Sequence, residues 1–90
     1  MLAGKALFRE ITREVAEAHK VGVDDILGPG LFKQMTRARQ ETAWRLRQMR
    51  KADGSPRFSL PQIGAWLGGR DHTTILHAIR AHEQRMGGRA

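Results

Sequence analysis

Gly68-Gly69-Arg70-Asp71-His72-Thr73-Thr74-Ile75-Leu76-His77-Ala78 constrains this chain more than any other segment. Two adjacent glycines let the backbone turn sharply where one helix ends. Asp71 then has the chemistry of an N-cap, with Thr73 and Thr74 in the first turn of the next helix. Upstream, Ser59-Leu60-Pro61-Gln62 has the spacing of a capping box, with Pro61 tolerated in the first turn. The pattern predicts two helices joined by a short glycine turn, a helix–turn–helix, over about residues 59–86. In such a motif the second helix lies in the major groove and its first residues meet base edges. Asp71 has two readings: a plain helix cap, or an acceptor for a cytosine amino group. His72 can donate or accept at a purine edge, and Thr73 and Thr74 can bond a base or meet a thymine methyl.

The rest of the chain reads as helices. Ile11, Val15 and Ala18, with Leu7 and Phe8, predict a first helix over about Leu7–Lys20. Val23–Leu27 reads as one short turn, with Asp24 as its cap, before Gly28-Pro29-Gly30 breaks the chain. The longest helix is expected from Lys33 or Thr36 to Lys51, with Met35, Ala38, Thr42, Leu46 and Met49 inside. Lys51–Phe58 reads as a mobile loop. Ile63, Trp66 and Leu67 are the buried positions of the next helix. The last should run from His72 to Met86 on a stripe of Ile75, Ile79, His82 and Met86. The 90 residues predict one domain, with flexible ends at 1–5 and 87–90.

Charge narrows the partner. Sixteen Lys and Arg against nine Asp and Glu give a formal +7. Twelve of the sixteen are Arg, whose guanidinium forks onto phosphate. Arg37, Arg39, Arg45, Arg47, Arg50 and Lys51 crowd the long helix against a single acid, Glu41. The reading is a polyanion partner, duplex DNA, with phosphate contacts from part of that row. There is no cysteine, and His19, His72, His77 and His82 make no recognised zinc spacing, so no metal and no cofactor are expected. His72 lacks an orienting partner and a substrate pocket, and no nucleophile motif is present, so an enzyme acting on a small molecule is not expected. No apolar run suits a membrane span and no signal-peptide core precedes Leu7. The expectation is a cytoplasmic, nucleoid-associated protein.

Ser59-Leu60-Pro61-Gln62-Ile63-Gly64 and the Gly68–Ala78 string resemble the C-terminal helix–turn–helix domain of the bacterial replication initiators of the DnaA family. There the strings run S-L-P-E-I-G and G-G-R-D-H-T-T-V-L-H-A at the same separation. Asp25-Ile26-Leu27 and Ala38-Arg39-Gln40 resemble the family's D-L-L and P-R-Q. The resemblance implies an all-α bundle of about five helices, DnaA domain IV-like and Trp-repressor-like. It implies base reading by Asp71, His72, Thr73 and Thr74, and backbone contacts by Leu60 and Pro61. It puts phosphate contacts on Arg37, Arg39 and Arg47, to which the residues themselves add Lys33 and Arg70.

Three features depart from the family. Its loop before the long helix is densely basic and sends an Arg into the minor groove; here Leu31 takes that place, with Lys33 nearby as a substitute. About six extra residues precede Ser59. No segment of the 90 residues resembles the family's ATPase. With Met1 and no linker sequence before Leu7, the expectation is a stand-alone sequence-specific transcriptional regulator of phage or prophage origin. The alternatives are a replication-linked binder of DnaA-type sites, an isolated initiator domain, and a protein-interaction module. A homodimer, another DNA-binding protein or an RNA polymerase component would supply the affinity that a lone domain lacks.

Overall fold

The computed structural model describes residues 3–87. Five α-helices follow in order: α1 (Gly4–His19), α2 (Val23–Leu27), α3 (Lys33–Gln48), α4 (Leu60–Trp66) and α5 (His72–Arg85). Among the described residues there is no strand, only an isolated bridge between Arg50 and Pro56. The all-α expectation therefore holds. Met1, Leu2 and residues 88–90, part of the two ends expected to be flexible, lie outside the described residues.

α1 starts three residues earlier than its apolar stripe predicts. A Cβ at Gly4 would sit 3.1 Å from the Phe58 ring and 3.4 Å from the Trp66 ring. This first turn is therefore packed on distant aromatics, which local periodicity does not reveal. The helix ends at Lys20, in the left-handed region at φ 57°, with its amide on the Ala16 and Glu17 carbonyls. The N-cap of α2 is Gly22 instead of Asp24, and Asp25 Oδ2, in the first turn, accepts from the Gly22 amide at 2.9 Å.

α3 is the axis of the domain, packed on α1 along one side and on α5 along the other. Ala38, Arg39, Thr42, Ala43 and Leu46 are its buried residues. Met35 and Met49 are only half-buried, and Arg39 lies inside where a surface arginine was expected. Thr12 and Thr42 are buried too, each donating its hydroxyl to the carbonyl one turn back, at 2.7 and 2.9 Å. Burial without that bond would leave a hydroxyl unsatisfied.

The remaining core is Phe8, Ile11, Val15, Ala16, Ile26, Phe58, Ile63, Leu67, Ile75 and Ile79. Each large apolar side chain contributes about 1.5–3 kcal/mol by leaving water. Trp66 stacks on Phe8 at 5.3 Å and meets Phe58 edge-on at 5.2 Å. His82 packs on Trp44 at 5.1 Å, and the α5 stripe ends there, because Met86 is 57% exposed.

The 51–58 connection is more structured than its composition predicts. Lys51 donates to the Ser55 carbonyl, Gly54 to that of Lys51 and Arg57 to that of Met49, each at 2.9 Å. Asp53 Oδ1 accepts the Ser55 amide at 2.9 Å and its hydroxyl at 2.6 Å. These bonds fold the segment into a closed turn that delivers Phe58 to the core.

Candidate nucleic-acid interface

The α4–α5 elbow is built from local chemistry. Ser59 Oγ accepts from the Gln62 amide at 3.2 Å and starts α4. The Leu67 amide closes the helix on the Ile63 carbonyl at 2.9 Å. Gly68 and Gly69 then take φ of 83° and 78°, the left-handed region that glycine enters without strain. The chain crosses back over Gly64, whose carbonyl accepts from the Arg70 amide at 2.8 Å. A Cβ at Gly64 would lie 2.0 Å from the Arg70 oxygen, so the crossing requires glycine there.

Asp71 Oδ2 accepts from the Thr73 amide at 2.9 Å and caps α5. Its Oδ1 lies 3.6 Å from His72 Nδ1. The Thr73 amide, then the Thr73 hydroxyl, hold the Asp71 carboxyl below its ordinary range, so it is an anion at neutral pH. One oxygen serves the fold while the other remains an acceptor at the surface. Asp71, His72, Thr73 and Thr74 are all exposed, grouped at one helix end, while Ile75 and Ile79 anchor α5 in the core. Pro61 is exposed and Leu60 half-buried at the start of α4.

The basic residues divide into two sets. Lys33 and Arg37 are exposed on the first turns of α3. Arg39, read from sequence as a phosphate contact, is 6% exposed. Its Nε donates to the Ile26 carbonyl at 2.7 Å, and Nη2 reaches the carbonyls of Asp25 (2.9 Å), Gly28 (2.9 Å) and Gly30 (3.1 Å). Arg70 donates Nη2 to the same Gly28 oxygen at 2.6 Å and Nη1 to the Leu67 carbonyl. Burial lowers the pKa of both guanidinium groups, and Arg70 lowers that of Arg39 further by repulsion. Arg47 spends one nitrogen on the Phe58 carbonyl at 2.8 Å.

Arg39 and Arg70 thus clamp the α2–α3 loop to the elbow through the Gly28 carbonyl. Sequence reasoning did not find this, although a signal existed: residues 39, 42, 43 and 46 share one helical face, which puts Arg39 on the inner side of α3. Beside the clamp, a cleft of about 400 Å³ between α3 and α5 is bordered by Thr36, Gln40, Thr74 and His77.

Residues 8–81 match the family described as bacterial dnaA protein helix-turn-helix. This chain belongs to that family. It is 40% identical over 82 residues to the chromosomal replication initiator protein DnaA of Cereibacter sphaeroides (strain ATCC 17029 / ATH 2.4.9), with 91% of this chain and 17% of that protein covered. It is 36% identical over 80 residues to the DnaA of Ruegeria sp. (strain TM1040), covering 89% and 16%. With the DnaA of Brucella abortus biovar 1 (strain 9-941) the identity is 40% over 78 residues, covering 87% and 14%. The chain therefore spans only 14–17% of the length of these relatives. No solved structure matches at a significant level. In this DnaA-type domain the loop into α3 presents Leu31 and Phe32, 85% and 75% exposed, with Lys33 beside them. No helix among the described residues is long and apolar enough to cross a membrane.

Proposed function

We propose that this domain binds double-stranded DNA sequence-specifically, with the first turn of α5 in the major groove. Asp71, His72, Thr73 and Thr74 read base edges; Leu60 and Pro61 at the start of α4 lie along the backbone. Lys33 and Arg37, with the free ends of Arg47, hold phosphate. Arg39 and Arg70 act in this reading by fixing the elbow to the loop before α3, and so fixing the angle at which α5 is presented. The observation that carries the proposal is the exposure of four polar side chains at one capped helix end of a DnaA-type helix–turn–helix.

The relatives are named as chromosomal replication initiators, and that supports a replication-linked role at DnaA-type sites over a transcriptional regulator of phage origin. Selection of bound duplexes from a random pool tests the reading. An asymmetric consensus is expected. Three cationic phosphate contacts, from Lys33, Arg37 and Arg47, predict a slope of log affinity against log salt of about −2.7. A pool that yields no consensus, or a flat salt response, contradicts the proposal.

A further inference from the structure

α1 carries Lys5, Arg9 and Arg13 at i, i+4 and i+8, which places them in one row on one face. Arg13 pairs with Glu17 at 2.9 Å and lies 3.7 Å from Glu10. Lys5 and Arg9 have no acidic partner among the described residues. The row borders a groove of about 580 Å³ between α1, α2 and α4, floored by Phe8, Leu27 and Trp66. Val23, 38% exposed, stands on its wall, and no acidic side chain lines it. No residue of α5 lines the groove.

We propose that this groove docks an acidic amphipathic segment of another protein. Apolar side chains of that segment cover Trp66 and Leu27, and its carboxylates engage Lys5 and Arg9. Charge complementarity selects this occupant. A second copy of a chain with a net charge of +7 would bring more positive charge to a positive rim. A DNA duplex would supply the negative charge, but its bases are paired and stacked inside and bring nothing to an aromatic floor. Binding of a single strand, whose bases can stack there, that depends on Lys5 and Arg9 would overturn the proposal. An acidic helix with an apolar face supplies both, in the helix-in-groove mode of peptide recognition.

A random peptide library selected on the full chain at physiological salt tests this. Enriched peptides are expected to combine Asp or Glu with Leu, Phe or Trp at helical spacing. Their synthetic copies should shift Trp66 fluorescence in a Trp44→Phe background, which leaves Trp66 as the only tryptophan. The double variant Lys5→Gln/Arg9→Gln should weaken these peptides at least tenfold, with the melting temperature unchanged because both side chains are exposed. Its slope of log affinity for duplex DNA against log salt should not change, since that slope counts phosphate contacts. Several outcomes overturn the proposal. They are peptides without acidic enrichment, peptides indifferent to the double variant, a reduced salt slope on DNA, or self-association or anionic-vesicle binding that depends on the same two residues.

Discussion

The α4–α5 elbow and the segment running from Gly28 into α3 are both rich in polar groups, yet they direct them oppositely. At the elbow the polar groups, Arg70 apart, are short, capped by their own neighbours, and point out: Asp71 bonds the amide two residues on, and Ser59 the amide three residues on. In the other segment the most deeply placed polar group is a long arginine turned inward, with carbonyls nine to fourteen residues away as its partners. Local hydrogen bonds make a helix end that can be read from sequence. An arginine's destination depends on which carbonyls the folded chain happens to leave unpaired.

The largest effect expected from this contrast is on stability. Arg39→Met fits the same space but strips donors from buried carbonyls of the α2–α3 loop, and should destabilise the domain by about 4 kcal/mol. Denaturant unfolding checks this; a loss below about 1 kcal/mol would mean the clamp is dispensable. The paired glycines give the next test. Gly68→Ala would set a Cβ 2.3 Å from the Leu27 carbonyl oxygen as well as forcing a left-handed alanine. It should cost about 3 kcal/mol. At Gly69 nothing lies within 4 Å, so only the backbone term remains, and Gly69→Ala should cost about 1 kcal/mol. Equal costs would mean that the close approach of Gly68 to Leu27 adds nothing.

These same places show how much could be read in advance. Both α4 and α5 start where their cap residues predict, and Ile63, Leu67, Ile75 and Ile79 are buried as their spacing requires. The family was legible because its motif strings lie in this local stretch. The start of α1, packed on Phe58 and Trp66, and the inward Arg39 were not, because each is decided by a partner far away in sequence. The closed turn at Lys51–Ser55 and the earlier end of α3 rest on short-range bonds that composition did not reveal. Among the site residues, the exposure of Asp71, His72, Thr73 and Thr74 follows from the cap, whereas separating Lys33 and Arg37 from Arg39 and Arg70 required the fold.

On DNA, that separation predicts unequal salt behaviour. Lys33→Gln and Arg37→Gln should each lower the magnitude of the salt slope by about 0.9, equally on specific and random duplexes. A change confined to one sequence would move these residues from phosphate to bases.

The smallest effect concerns pH. Burial against Trp44 depresses the His82 pKa from its ordinary 6.5; Arg85 and His19 lower it further, while Glu41 and Glu83 oppose. The folded state then binds fewer protons than the unfolded state. Stability from this group is present above the unfolded pKa and is lost as pH falls through 6.5 towards the folded value. His82→Gln should flatten that acid-side decline in thermal melts. A steeper decline in the variant would reverse the sign.

The central claim is that the start of α5 reads sequence. Fluorescence anisotropy of the wild-type domain and His72→Ala, each on the selected duplex and on a scrambled one at the same salt, tests it most directly. The account predicts a loss of about 1–3 kcal/mol on the selected duplex and almost none on the scrambled one. Equal losses on both would contradict it.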